Sequence, residues 1–253
     1  MLERLRQESL ASGRPTDALW GADMSECYYC GHEATSVEHV PPKAIFPEAK
    51  DCDGFDYRRQ LITVPSCDDH NSAKTLDDEY LLILLTLNTF KNAVGQGQFD
   101  TKMVRIVRKK PDFVAKILKD VQSIEILDTS QKLVEKARAF RVDIGRYRSI
   151  LEHIARGLWY HKYSNRFDMR LDVYINGLRY NGREKNYLEY ARAEEELFML
   201  HKDAPSEGAN PEVFRYRFVD VRPDVKDLIM IFYGYMMVMI RMGNLIMEDG
   251  IGK

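Results

Sequence analysis

Two pairs of metal-grade side chains, 37 residues apart, constrain this chain more than any other feature. Cys27-Tyr28-Tyr29-Cys30, followed by Gly31, is a C-x2-C unit, and Cys67-Asp68-Asp69-His70 is a C-x2-H unit. A knuckle turn or one helical turn places residues i and i+3 on the same side, so each pair converges on a point. Zn²⁺ takes four soft or borderline donors in a tetrahedron, and a Cys3His set leaves no open position, which is the mark of a structural site. His32 is a rival for the fourth place, but His70 has the better spacing. The competing reading is of unrelated reduced thiols and histidines, and two pairs at ligand spacing argue against it. Cys52, in Asp51-Cys52-Asp53-Gly54, has no partner at that spacing and reads as a free thiol. Four cysteines in 253 residues do not make a disulfide framework.

Composition narrows the class. Hydrophobic residues at 45% and charged residues at 30% describe a core-forming chain, and its length suggests one or two domains. With 37 Lys+Arg against 39 Asp+Glu the formal charge is −2, so the whole molecule is no basic coat for nucleic acid. The N-terminus carries charges at Glu3, Arg4, Arg6 and Glu8 where a signal peptide needs an apolar stretch. The longest apolar run, residues 228–240, has 13 residues, short of the roughly 20 that span a bilayer. A cytoplasmic protein without membrane association is expected.

Periodicity and breakers predict a charged helix over residues 2–10, a strand over 61–64, and a helix starting at Cys67 behind a Ser66/Asp69 capping box. A buried helix is expected over 77–93, ending before Gly95-Gln96-Gly97. Further on, strands are expected at 103–108, 171–175, 214–221 and 228–240, the last two as an antiparallel pair. Helices are expected at 111–121 and 148–163. The helix bearing His153, Trp159 and His161 reads as core, as does the methionine-rich segment 230–242, which alternatively offers an edge to a partner chain. Tyr28 and Tyr29 read as packing around the zinc, and residues 204–211 as an exposed loop.

Between the two ligand pairs lies Ser36-Val37-Glu38-His39-Val40-Pro41-Pro42, and Asn71 follows the second pair at once. This order resembles the HNH, or ββα-metal, nucleases, in the Asn variant found among phage recombination endonucleases. The resemblance spans about residues 25 to 92. It implies two short strands and a helix around one divalent ion, with the zinc stapling the fold. Carried over residue by residue, Cys27, Cys30, Cys67 and His70 match the zinc ligands, and His39 matches the general base. Glu38 and Asn71 match the ligands of the catalytic Mg²⁺ or Mn²⁺. Two departures stand out: the acid in the family is more often Asp, and the fourth zinc ligand more often Cys.

The implied chemistry is coherent on its own terms. Glu and Asn offer hard oxygen donors suited to Mg²⁺ with retained waters, and a neutral histidine accepts a proton from water. Asn71 lies about 100° round a helix from His70, so one helix can serve two metals separately. Lys74, three residues on, is placed to contact a phosphate. Adjacent strand residues such as Glu38 and His39 point to opposite faces, so the strand must end or twist before Pro41 for both to serve one site. Lys102, Arg105, Arg108, Lys109 and Lys110, with Lys116 and Lys119 against Asp112 alone, give residues 102–119 a local charge of +6. That run reads either as a phosphate-tracking surface or as a solvated face, and both readings stand here.

The expected fold is α+β: a zinc-stapled ββα-metal (HNH) core followed by a mixed α/β C-terminal region with antiparallel strands. The division is an N-terminal helix and linker at 1–24, the HNH nuclease domain at 25–97, and a targeting, oligomerisation or sensing domain at 98–253. The expected activity is metal-dependent hydrolysis of DNA, with phage defence or restriction as its setting and RNA kept open as substrate. A homo-oligomer or regulatory protein partner is also open. The competing function is a zinc-stabilised nucleic-acid-binding or adaptor protein that does not cut.

Overall fold

The computed structural model describes residues 26–71, 75–88, 91–127, 132–175 and 187–244. The helix expected at 2–10 lies outside the described residues. The chain is a mixture of α-helices and antiparallel sheets. Strands β1 (Ser36–His39) and β2 (Thr63–Ser66) pair antiparallel, with Ser36 opposite Ser66 and His39 opposite Thr63. β2 starts two residues later than its apolar run suggests, although the Val40 N–H still bonds the Ile62 carbonyl at 3.0 Å. A single helical turn follows, α1 (Asp68–Asn71), then α2 (Thr75–Leu87). In α2 Tyr80 through Thr86 are no more than 5% exposed, so this part of the helix is buried all round and runs through the interior.

Several expectations need correction beyond this point. The helix expected over 77–93 ends at Leu87, and Gly95 and Gly97 belong to α3 (Ala93–Gln98), not to a break. The Asn92 side chain starts α3 by accepting the Gly95 N–H at 3.0 Å. Gly95 is needed there because a Cβ would lie 2.9 Å from the Tyr233 ring. The strand expected over 103–108 is helical: a π turn (Phe99–Met103) runs into α4 (Val104–Lys109). Its apolar residues alternate in sequence, but Met103 and Ile106 are the buried pair, three apart as a helix requires. α5 (Pro111–Ile117) carries its proline in the first turn, where the missing N–H costs nothing. A two-stranded ribbon, β3 (Gln122–Leu127) with β4 (Leu133–Ala139), leads to α6 (Ile144–Tyr163). Asp143 caps α6 by accepting the Arg146 N–H at 3.0 Å.

The remainder forms one antiparallel sheet in the order β5-β9-β8-β7-β6. Its strands are β5 (Leu171–Ile175), β6 (Glu207–Asn210), β7 (Phe214–Arg222), β8 (Val225–Phe232) and β9 (Met236–Gly243), with helix α7 (Tyr187–His201) between β5 and β6. The expected pairing of 214–221 with the strand after it holds, in the register Phe214 opposite Phe232. The segment 228–240 is two strands, not one. Tyr233 and Gly234 both take positive φ, 47° and 79°, which is the backbone of a tight hairpin turn. The expected loop at 204–211 holds strand β6.

Alternation explains why β8 reads as continuously apolar. Ile229 and Ile231, with Met237 of β9, pack under Leu197 and Phe198 of α7. Leu228, Met230 and Phe232 face the other way, into the main core with Leu151, Ile154 and Leu158 of α6. That core continues to Tyr28, Val40 and Val64, so the knuckle and the first hairpin share their interior with the C-terminal sheet. The turn after β1 is clamped as well. Ile45 O accepts from Tyr233 Oη at 2.6 Å and from Gln98 Nε2 at 2.9 Å.

Gly157 sets the approach of α6 to the end of β1. A Cβ there would lie 2.6 Å from a Val40 methyl, and Val40 is 2% exposed and stiff at χ1. Gly157→Ala gains about 1 kcal/mol of helix propensity but overpacks this contact by about 1–3 kcal/mol. A net fall in thermal midpoint is expected, read by calorimetry.

Candidate metal centre and adjoining cleft

The first ligand pair sits in a tight knuckle. Gly31 N–H bonds the Cys27 carbonyl at 3.0 Å, with Gly31 at φ +76°, and Cys27 N–H bonds the His32 carbonyl at 2.7 Å. Tyr28 N–H reaches Pro65 O at 2.9 Å, tying the knuckle to β2. The second pair opens α1, where the His70 and Asn71 N–H groups both bond Cys67 O, at 3.1 and 3.0 Å. The expected capping by Ser66 is replaced by another arrangement: its hydroxyl donates to Glu38 Oε2 at 3.4 Å and to Cys67 O at 3.3 Å.

Cys27, Cys30, Cys67 and His70 bring their ligand atoms within 4.8 Å of one another. Sγ of Cys30 and Cys67 are 3.7 Å apart, and His70 Nδ1 lies 3.8 Å from Cys27 Sγ and 3.1 Å from Cys67 Sγ. Zinc bonds of ordinary length span a tetrahedron whose S–S edge is about 3.8 Å and whose S–N edge is about 3.6 Å. The cluster is therefore a group that can hold a metal such as zinc, with His70, not His32, as its nitrogen donor. Burial pushes the Cys27 thiol up, but the backbone amides of Cys30, Cys67 and Tyr29 outweigh it and leave it below its ordinary value. Burial pushes Cys30 up to about 11. The Arg166 guanidinium lies against Gly31 and brings positive charge beside the thiols.

Beside the cluster three rings meet. Tyr29 stacks on His153 of α6 at 4.2 Å with planes 9° apart and meets His70 at 4.4 Å with a 31° tilt, and the two imidazoles lie 5.9 Å from each other. Arg156 covers the same tyrosine at 5.3 Å. Tyr28 is fully buried and its hydroxyl bonds the Glu38 carboxylate.

Glu38 and Asn71 are linked through one polar network. Asn71 Nδ2 donates to Ser36 Oγ at 2.8 Å and to Val37 O at 3.3 Å, Ser36 Oγ donates to Ser66 O at 3.1 Å, and Ser66 Oγ reaches Glu38. β1 ends at His39, and Glu38 and His39 both line one small cleft, of about 20 Å³. Asp77 and Asp78 of α2 and His153 of α6 line it too, with apolar side chains of α6 as its wall. Burial, then the charges of Lys43 and Arg58, hold His39 below its ordinary pKa. Asp77 is paired with Arg146 at 2.7 Å.

The basic run divides. Lys102 Nζ donates to Ala44 O at 2.8 Å, and burial first, then Arg58, pushes its pKa down to about 8. Arg105 forms a bidentate pair with Asp51 at 2.8 and 2.6 Å, and Lys110 is held by Glu79 at 2.8 and 2.7 Å. Arg108 and Lys109 are exposed. Lys74 lies outside the described residues. Sequence reasoning missed His153, Asp77 and Asp78 as cleft residues, because the two acids fall within the expected buried helix over 77–93 and the histidine read as core. Among the described residues no helix is long and apolar enough to cross a membrane. Comparison with known proteins finds no matching family model, no matching curated protein and no matching solved structure.

Proposed function

We propose that the chain is an HNH-type endonuclease that hydrolyses phosphodiester bonds in DNA. One observation carries this reading: Glu38 and His39, at the end of a strand beside the Cys3His cluster, line one cleft, and Asn71 is hydrogen-bonded to the same strand. The order hairpin then helix, β1-β2-α1-α2, with zinc-type ligands on the knuckle and α1, supports a ββα-metal core.

The donor set suits a divalent ion of the Mg²⁺ or Mn²⁺ kind, because the Glu38 carboxylate and the Asn71 amide oxygen are hard ligands. Asn71 uses its NH2 end on Ser36 and Val37, which orients the amide. Bound there, such an ion supplies Lewis-acid stabilisation of negative charge at the scissile phosphate. Tyr28 and Ser66 hold the Glu38 carboxylate in place from the buried side. His39 accepts the proton of the attacking water as its oxygen bonds to phosphorus. The bond to the 3′-oxygen breaks, solvent protonates that oxygen, and the ends are a 5′-phosphate and a 3′-hydroxyl. Arg108 and Lys109, both exposed, are available for backbone phosphates.

End-labelled duplex DNA, incubated with zinc-loaded protein and Mg²⁺, tests the reading. Fragments that ligase can rejoin, with no cutting in EDTA, are expected. Products with 3′-phosphate ends, or cutting that EDTA leaves untouched, would refute it. Salt-sensitive binding of DNA without cleavage would point to the adaptor reading instead.

A further inference from the structure

We propose that His153 is a third protein ligand, a nitrogen donor from outside the motif, for the divalent ion of the cleft. The inference deepens the nuclease reading and rests on it for the ion's place beside Glu38. Helix α6 brings His153 to the same cleft as Glu38 and His39, more than 110 residues away in the chain.

Two features of His153 set it apart from a merely packed histidine. Its Nδ1 lies 2.7 Å from the carbonyl of Ser149, one turn earlier in the helix. A carbonyl only accepts, so Nδ1 carries a proton, and Nε2 is the nitrogen that would meet a metal ion. Metal-ligating histidines characteristically donate their other N–H to a backbone carbonyl or carboxylate in this way, which fixes both tautomer and direction. The ring plane is held too: Tyr29 stacks on it at 4.2 Å with 9° between planes, and the zinc-type ligand His70 lies 5.9 Å away on another side. An imidazole locked this thoroughly loses little freedom on binding a cation. Glu38 is the shared member, joined to Asn71 by the serine network and to His153 by the cleft.

A nitrogen added to two oxygen donors shifts the preference of the site. Affinity should climb from Mg²⁺ through Mn²⁺ to Co²⁺ and Ni²⁺, following the ordinary order for mixed N,O sites.

The test uses the full chain with its Cys3His cluster loaded with zinc, so that His70 is occupied, and Mn²⁺ as probe. Electron spin-echo modulation detects ¹⁴N bonded to Mn²⁺, a readout independent of cleavage. Nitrogen modulation is expected in the wild type and in His39→Ala, and its loss in His153→Phe. The phenylalanine keeps a ring against Tyr29 while removing both nitrogens, so loss of packing is not confused with loss of a ligand. Mn²⁺ affinity should fall about tenfold or more in His153→Phe. Modulation that survives in His153→Phe, or that vanishes in His39→Ala, overturns the assignment, as does a wild type that binds no Mn²⁺ beyond its zinc. The two readings fail differently. Modulation that depends on His153 in a protein that cuts no nucleic acid sinks the nuclease and keeps the ligand. Cleavage with unchanged modulation in His153→Phe does the reverse.

Discussion

Removing the zinc-type ligand Cys67, by Cys67→Ser, is expected to cost this chain more stability than any substitution on its surface. The cluster joins two pieces distant in sequence: the knuckle at Cys27–Cys30, and the segment after β2 where Cys67 leads into the helical turn carrying His70. Each of those pieces is short and rich in turns, and its own apolar content is small. Cys27, Tyr28, Val40 and Val64 nonetheless belong to the core shared with α6 and the C-terminal sheet, so disorder at the knuckle reaches the middle of the molecule. Structural zinc contributes an apparent 10–16 kcal/mol in small zinc-finger peptides, where the apo state is unfolded. Here the sheet offsets part of the loss. A drop of about 5 kcal/mol would lower the thermal midpoint of a 253-residue chain by about 10–20 °C. Metal analysis should find one zinc per wild-type chain and much less in Cys67→Ser. His32→Ala should keep its zinc, because His32 supplies a backbone carbonyl to the knuckle. Full zinc and an unchanged midpoint in Cys67→Ser would contradict the staple.

The second large effect is on rate. His39→Ala should lower cleavage about 10²- to 10⁴-fold, the ordinary contribution of a positioned general base. The side chain is half-buried beside the cleft, and the neighbouring strand residues Ser36 and Glu38 hold the polar network. Its removal therefore leaves the hairpin register and the zinc cluster in place, and zinc content and thermal midpoint should stay at the wild-type values. Loss of activity together with loss of zinc would make His39 a structural residue instead.

The metal cluster was legible in the sequence because its chemistry is local: two pairs three residues apart, each closed by one turn. Glu38, His39 and Asn71 stood out in the sequence through their order relative to those pairs. The failures are equally physical. Residues 228–240 read as one strand because their apolar side chains serve both faces of a covered sheet, and only the Tyr233-Gly234 pair marked the turn. Residues 103–108 alternate like a strand, yet Met103 and Ile106 are buried at helical spacing. Gly95 and Gly97 read as a break, whereas Gly95 makes room for Tyr233, a residue 138 positions later. His153 illustrates the general limit. Nothing near it in the chain tells a core histidine from one facing a cleft; only the packing of α6 against β1 at Gly157 and Val40 brings it there. The basic run shows the converse, since counting charges did not reveal that Asp51 and Glu79 hold Arg105 and Lys110.

The most direct measurement is nicking of supercoiled plasmid by purified, zinc-loaded wild type and His39→Ala, side by side in Mg²⁺, in Mn²⁺ and in EDTA. The account predicts cutting by the wild type in either metal, none in EDTA, and at least about 100-fold slower cutting by a fully folded His39→Ala. Equal cutting by the two proteins, or none by a wild type that holds its zinc and binds Mn²⁺, would contradict it.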